Sequence, residues 1–172
     1  MIIKATLEHL DDIERIYNEI HDQEESGKVI IGWNRKIYPT RITAKESIDS
    51  GDMFVLVDNN EVVGAARINQ QQVPEYCQTN WQYDVKDNEV MVLHTLVVSP
   101  NKKGHGYGKQ MVSFYEQYAL EHHCHYLRMD TNERNHNARA LYHKLGYDEV
   151  GVVPCIFNGI EGVSLLCLEK KL

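Results

Sequence analysis

The chain has 172 residues, a length typical of one domain, and we expect a single domain over residues 1–172. Its 18 Lys and Arg against 25 Asp and Glu give a net charge of -7, which argues against nucleic acid as a general partner and is compatible with a cationic acceptor. No basic-then-apolar leader and no apolar run of membrane-spanning length stands in the sequence, so we expect a cytoplasmic protein that does not bind a membrane.

Apolar spacing predicts the elements before residue 70. Residues 10–20 repeat apolar side chains at helical spacing, and Thr43-x-x-Glu46 has the form of a capping box that opens a second helix. Two apolar runs joined by a polar turn predict an antiparallel hairpin. The predicted order is a strand over 1–5, a helix over 10–20, a helix from Thr43, and strands over 53–57 and 62–69.

Residues 70–87 are polar, carry several aromatic side chains and show no periodicity. Loops of this length inside one domain are often functional or mobile. Two interpretations stay open: a lid or acceptor-specificity loop, and an exposed insertion without consequence.

A strand over residues 89–98 leads into a loop with glycines at 104, 106 and 108, and a helix follows to about residue 122. Glycine allows a sharp turn in which backbone N–H groups converge, and a helix N-terminus favours an anion. Four residues of the loop are basic or can be: Lys102, Lys103, His105 and Lys109. The pattern predicts a phosphate or pyrophosphate ligand, although neither the Walker spacing nor the dinucleotide glycine spacing is present.

The rest of the chain predicts a strand over 126–131, a short helix over 138–145 ended by Gly146, and two closing strands over 150–153 and 163–168 around a loop over 154–162. The strand, helix and strand from 89 to 131 predict a right-handed parallel unit. The sheet is therefore expected to be mixed, antiparallel at its start and parallel at its centre.

Two motifs resemble the GNAT superfamily of N-acetyltransferases. The run from Lys103 to Gly108, after a strand that ends in Leu96-x-Val98-x-Pro100, resembles the acetyl-CoA loop of that family. Lys103 departs from the family pattern, which has Arg or Gln there, and so loses the planar guanidinium fork. The second motif, from Asn135 to Tyr147, resembles the last helix of the family. A glycine-rich turn without a ligand is the alternative reading of the first motif.

The resemblance implies an α/β fold of GNAT type, with a mixed, centrally splayed sheet flanked by helices. It also implies transfer of an acetyl group from acetyl-CoA, as cosubstrate, to a primary amine by direct attack in a ternary complex. Tyr142 takes the position of the family tyrosine that protonates the leaving thiolate; the alternative is a core aromatic. The expected coenzyme contacts are Leu96, Val97, Val98, Lys103, Gly104, His105, Gly106, Tyr107, Gly108, Lys109, Asn135 and Ala138.

The general base and the acceptor pocket are less closely specified. His94 lies on the central strand, and an imidazole can accept a proton near neutral pH. Glu89 and a water chain remain alternatives, and a strand histidine is also often a hydrogen-bonded core residue. Trp33 and Tyr38 lie where the family commonly forms its acceptor pocket, although large aromatics more often simply pack.

Other functions stay open. A non-catalytic acyl-CoA sensor would need the same glycine loop, as would a binder of nucleotide phosphates. No metal site is expected, because the His122–His125 run has no spaced partner motif. The four cysteines are scattered, so we expect them to be reduced, and a homodimer is possible.

Overall fold

Seven strands form one mixed sheet in a computed structural model that describes residues 1–172. The strand order is β1-β2-β3-β4-β5-β7-β6, and β4 with β5 is the parallel pair at the centre. Short 3-10 turns connect several elements. The elements are β1 (Ile2–Lys4), α1 (Leu10–Glu25), α2 (Arg41–Asp49), β2 (Met53–Asp58), β3 (Glu61–Asn69), β4 (Val90–Val98), α3 (Tyr107–Glu121), β5 (Tyr126–Asn132), α4 (His136–Lys144), β6 (Asp148–Phe157) and β7 (Ile160–Lys171).

Each face of the sheet is covered by a pair of helices. On one face, buried side chains of α3 and α4 such as Met111 and Tyr142 pack against β4, β5 and β7. On the other face, α1 and α2 pack against the hairpin of β2 and β3 through residues such as Ile16 and Ala44. The predicted mixed α/β sheet is confirmed. No helix is both long and apolar enough to cross a membrane.

Two predicted element boundaries were wrong. Helix α2 begins at Arg41, because Thr40 and not Thr43 is the N-cap: Thr43 donates its N–H to Thr40 Oγ1, and Thr40 donates its N–H to Thr43 Oγ1. The predicted loop over 154–162 is mostly strand, since β6 and β7 pair from Asp148 to Phe157 around a short turn. Pro154 is tolerated because β6 is the edge strand of the sheet.

The central strands separate partway along their length. Strands β4 and β5 pair from Val90 and Tyr126 to Leu93 and Met129, and no further. Beyond that point β4 continues beside β3 alone, with a bulge that places Thr95 at a φ of 49°. A β-branched residue at positive φ is strained and needs support from its surroundings. The Tyr38 hydroxyl supplies some of it through a hydrogen bond to Thr95 Oγ1. We call the resulting gap between the two strands the fork.

A buried ion pair fixes the segment over residues 70–87 to the sheet. Arg128 Nε donates to Glu169 Oε1 at 3.1 Å, and the two side chains are only 6% and 0% exposed. Arg128 also donates to Gln72 Oε1 and to Tyr83 O, while Glu169 Oε2 accepts the N–H of Gln82. The segment is therefore an anchored part of the structure and not an exposed insertion.

Removing one partner of this pair should destabilise the protein. We expect Glu169→Leu to lower the free energy of unfolding by about 3–5 kcal/mol, because Arg128 is left charged and unpaired in the interior. The measurement is urea unfolding followed by circular dichroism. The double variant with Arg128→Met should recover much of the loss, since no unpaired charge remains.

The matched control is Glu149→Leu. Its partner Arg139 is 31% exposed, so the ion pair is screened by water and the loss should stay below about 1 kcal/mol. Equal losses at Glu169 and Glu149 would contradict the importance of the buried pair.

Candidate active site

A cavity of about 720 Å³ lies at the fork. Its walls come from both faces of the sheet: the segment between α1 and α2, strands β4, β5 and β7, the anchored segment, and the start of α4. Ten of the predicted site residues share this cavity. They are Trp33, Tyr38, His94, Leu96, Val97, Val98, Lys103, Asn135, Ala138 and Tyr142. The loop from Gly104 to Lys109 continues from Lys103 outside the cavity wall.

The fork leaves backbone groups of β4 without a strand partner. Ser99 donates its N–H to Val63 O at 2.9 Å, so alternate residues of this part of β4 face β3. The same alternation directs Val97 toward Ala65 of β3 and Val98 toward the fork. The N–H and C=O of Val98 can therefore pair with an extended, amide-bearing ligand such as a pantetheine arm.

The glycine loop offers a set of free N–H donors. None of the N–H groups from Gly104 to Lys109 has an acceptor in the protein, and Gln110 donates the first bond of α3, to Gly106 O. Gly104 and Gly106 have φ values of 86° and 74°, which side chains other than glycine rarely adopt. Such an array at a helix N-terminus fits a pyrophosphate.

Lysine charge around the loop is only partly neutralised. Lys102 forms an ion pair with Glu61 at 2.7 Å, whereas neither Lys103 nor Lys109 pairs with a carboxylate. Lys103 both lines the cavity and adjoins the free N–H groups. These two lysines are therefore available to an anionic ligand.

The side chains between the lysines serve the fold. The Tyr107 hydroxyl donates to Asp58 Oδ2 at 2.7 Å, and the His105 ring stacks on Tyr107 with ring centres 5.3 Å apart. A methyl group at Gly108 would lie 3.2 Å from the Leu141 side chain of α4. A ligand contact from Tyr107 or Gly108 would thus come from the backbone, whereas the His105 ring is exposed and accessible.

Tyr142 lies on α4 and reaches the cavity from the face covered by α3. Its side chain is 6% exposed, and no protein group forms a hydrogen bond with its hydroxyl. Burial and the nearby Asp130 carboxylate raise the pKa of Tyr142 above its usual value. The hydroxyl therefore keeps its proton at neutral pH and is free to donate it to a ligand.

Asn135 caps α4. Its Oδ1 accepts the N–H of Ala138 at 3.2 Å, and its Nδ2 donates to Thr131 Oγ1 at the same distance. The amide thus joins the end of β5 to the start of α4. Its predicted contact with the coenzyme stays a prediction.

His94 is the first β4 residue after the last β4–β5 pair and so lies at the start of the fork. Asn69 Oδ1 accepts the N–H of Gln71, which identifies it as the amide oxygen, so His94 Nε2 donates to it at 3.0 Å. Asn69 in turn donates to Asp52 at 2.8 Å. Burial and the charge of Arg67 lower the pKa of His94 to about 4. The ring is neutral at pH 7 and is a weak base.

Two aromatic residues form the wall contributed by the segment before α2. The Trp33 and Tyr38 rings pack edge to face with centres 6.2 Å apart, and the Tyr38 hydroxyl reaches Thr95 at the bulge of β4. Both predicted acceptor-pocket residues therefore face the cavity next to the fork.

Sequence reasoning missed Asp130. It is the first β5 residue after the last β4–β5 pair, and it lines the cavity. Its Oδ2 accepts a hydrogen bond from the Tyr76 hydroxyl at 2.7 Å. Burial raises the pKa of the Asp130 carboxyl to about 7, and the Tyr76 hydrogen bond opposes part of that rise. The one signal for Asp130 in the sequence was its place as a carboxylate within the predicted strand over 126–131, next to the apolar Met129.

Arg67 was missed as well. It lies on β3 opposite His94 and lines the cavity, and its Nε is buried without a hydrogen-bond partner. Arg67 lies 3.4 Å from Asp52 through one terminal nitrogen, so its charge is only loosely compensated.

Comparison with known proteins places this geometry in a family. A family model described as Acetyltransferase (GNAT) family matches residues 10–147. A search of curated proteins gives no match.

Solved structures share the fold over the whole chain. An acetyltransferase of the GNAT family from Streptococcus agalactiae 2603 has a TM-score of 0.78 and 22% identity, covering 100% of this chain and 95% of that one. A ribosomal-protein-alanine N-acetyltransferase from Brucella melitensis has a TM-score of 0.72 and 21% identity, covering 100% and 99%. The structure of YncA from Salmonella typhimurium with its cofactor acetyl-CoA has a TM-score of 0.71 and 18% identity, covering 100% and 93%.

The matched region contains the fork, the glycine loop with its free N–H groups, and the tyrosine of α4. The family uses acetyl-CoA, and the free donors of the loop and of β4 fit that coenzyme. The chain belongs to the acetyltransferase (GNAT) family.

Proposed function

We propose that the protein transfers an acetyl group from acetyl-CoA to a primary amine, by direct attack of the amine in a ternary complex. The observation that carries the proposal is the single cavity that passes through the fork. It brings the loop side of the site, at Lys103 and Val98, together with the aromatic wall of Trp33 and Tyr38. A coenzyme and an acceptor can thus occupy the cavity at the same time.

The chain supplies three parts of the chemistry. The loop amides and Lys103 hold the pyrophosphate, and Val98 pairs with the pantetheine arm. An N–H of β4 in the fork stabilises the negative charge that develops on the thioester oxygen. The alternation of β4 favours Leu96 and Val98 over the predicted Val97 for these contacts, because Val97 pairs with β3.

Tyr142 is the proposed general acid. Its hydroxyl donates a proton to the thiolate as the carbon–sulfur bond breaks. A tyrosine with a raised pKa holds its proton firmly, so the donation occurs late, when the charge on sulfur is largest. His94 stays the predicted base from the sequence, although its lowered pKa makes it a weak one.

The acceptor is proposed to be an amine with an apolar group. Besides Trp33 and Tyr38, the cavity wall includes Ile160, Val163 and Leu165, which offer apolar contact. A contrasting function is an acyl-CoA sensor without turnover, which would use the same free N–H groups of the glycine loop.

Calorimetry and a thiol-release assay separate these two functions. Acetyl-CoA is titrated first, and the complex is then offered 2-phenylethylamine, L-leucinamide, L-leucine and spermidine while free thiol is measured. Binding with amine-dependent thiol release supports the transferase, and binding with no release from any amine supports the sensor. Absence of binding would contradict both.

Tyr142→Phe should lower kcat by about 10- to 100-fold, because the thiolate then leaves without a positioned proton donor. The affinity for acetyl-CoA should change by less than about twofold, since the phenol contributes its proton to the reaction and not to binding. Steady-state kinetics and calorimetry give both numbers. Tyr118→Phe is the matched control, because Tyr118 lies on α3 outside the cavity, and an unchanged kcat in Tyr142→Phe would remove Tyr142 from the mechanism.

Gly106→Val should weaken acetyl-CoA binding by about 100-fold or more. The space beside Gly106 is empty, so the loss comes from the positive φ and from a side chain among the loop donors. Calorimetric titration of acetyl-CoA is the measurement.

Gly27→Val tests strain alone. Gly27 has a φ of 71° and empty space around it, but it lies at the end of α1, away from the loop. Both variants should lose thermal stability, and only Gly106→Val should lose acetyl-CoA affinity. Equal affinity in the two variants would contradict the role of the loop.

A further inference from the structure

Two carboxylates lie near the centre of the sheet, Glu169 buried and Asp130 half-buried at the cavity wall, and only one has a cationic partner. Glu169 pairs with Arg128. Asp130 forms no ion pair, and its protein hydrogen bond comes from the neutral Tyr76 hydroxyl. A carboxylate that is partly removed from water and has no cationic partner costs free energy, and a titratable group of this kind in a cleft is a candidate for a functional site.

Asp130 faces the cavity at the fork. Because β4 and β5 stop pairing after Leu93 and Met129, His94 and Asp130 are the first residues on either side of the gap. Asp130 lines the same cavity as Tyr142 and the aromatic wall. The cations that line the cavity, Arg67 and Lys103, form no ion pair with Asp130. The other titratable groups near Asp130 are Tyr38, Glu75, Tyr76, Tyr142, Cys155 and Cys167. None of them is a cation.

We propose that the Asp130 carboxylate, held in place by the Tyr76 hydroxyl, binds the acceptor ammonium and takes a proton from it. The proposal rests on the proposed acetyl transfer and assigns the base of that reaction to β5 in place of His94. Tyr76 does not touch the substrate and is a positioning residue.

The proton and electron balance is complete with these groups. Asp130 takes one proton from the ammonium and later releases it to water, and the neutral amine then uses its lone pair to form the bond to the acetyl carbon. The carbon–sulfur electron pair leaves with sulfur, which takes the Tyr142 proton, and the nitrogen gives up its second proton, which restores Tyr142 through the cavity. One ammonium and one thioester thus yield an amide, a thiol and one proton.

The acid and the base are coupled. The negative charge of Asp130 contributes to the raised pKa of Tyr142. When Asp130 takes up the proton of the ammonium, that contribution disappears, and Tyr142 becomes a stronger acid just before the thiolate leaves.

The test is the pH dependence of kcat/KM between pH 5 and 9, with the two panel amines L-leucinamide and 2-phenylethylamine. The rising part of the pH profile is called the limb. Because the pKa values of the two amines differ, a limb at the same pH for both amines belongs to the enzyme. In the wild type, activity should rise with pH through about 7, the pKa of Asp130, because the carboxylate must be ionised. Asp130→Asn should remove this limb and lower kcat/KM at pH 8 by about 10- to 100-fold.

Tyr76→Phe should shift the limb of the pH profile in a known direction. The hydroxyl donates to the ionised carboxylate and lowers its pKa, so its loss should move the limb to higher pH while activity above the limb is largely kept. Tyr83→Phe is the matched control, since Tyr83 lies in the same anchored segment outside the cavity and should leave the limb in place.

Acetyl-CoA titration of each variant separates misfolding from chemistry. Unchanged acetyl-CoA affinity with a lost or shifted limb supports the proposal. A limb that persists in Asp130→Asn and is lost in His94→Gln overturns it in favour of His94, and an unmoved limb in Tyr76→Phe also overturns it. If the wild type binds acetyl-CoA and acetylates no amine, the proposed function fails and this inference fails with it. If Asp130→Asn does not fold, the direction of the Tyr76→Phe shift decides.

Discussion

The end of the β4–β5 pairing after Leu93 and Met129 is the constraint from which the site follows. Two parallel strands in one sheet normally satisfy each other's backbone groups, and separating them leaves groups that must find other partners. Here β4 stays paired with β3 along one edge. A bulge at Thr95, whose side chain forms a hydrogen bond with the Tyr38 hydroxyl, directs the other edge away from β5. The unsatisfied donors and acceptors at the fork are what a coenzyme arm with amide groups can use.

A fork in a central sheet also needs support from outside, and the segment over residues 70–87 provides it. The ion pair of Arg128 and Glu169 is a poor source of net stability, because desolvation of both charges offsets most of their attraction. Its contribution is to position the segment: the guanidinium of Arg128, on β5, donates to Gln72 and Tyr83 and so holds them beside that strand. The same segment then carries Tyr76 to the Asp130 carboxylate, so a structural ion pair and the proposed base share one support.

Local signals in the sequence were enough for the fold and for naming ten candidate residues that the structure brings to one cavity. The strand–helix–strand unit follows from apolar and glycine spacing among neighbouring residues, and the structure confirms it. The glycine loop and Tyr142 lie in two local motifs that resemble the family, and the structure places Lys103 and Tyr142 at one cavity. Asp130 and Tyr76 are 54 residues apart, and their contact depends on how an aperiodic segment folds back over the sheet. The start of α2 was missed because both threonines of its capping box can act as a cap, and Pro154 hid an edge strand because proline usually ends one.

The two ionisable groups nearest the fork show why position on a strand does not determine a role. His94 and Asp130 follow the last β4–β5 pair symmetrically, yet their surroundings change their pKa values in opposite senses. Burial disfavours the charged form of each, which lowers the pKa of a histidine to about 4 and raises that of an aspartate to about 7. The same desolvation therefore makes the imidazole a weaker base and the carboxylate a stronger one. In this cavity, a carboxylate without a cationic partner is better suited than a histidine to take a proton from an ammonium at neutral pH.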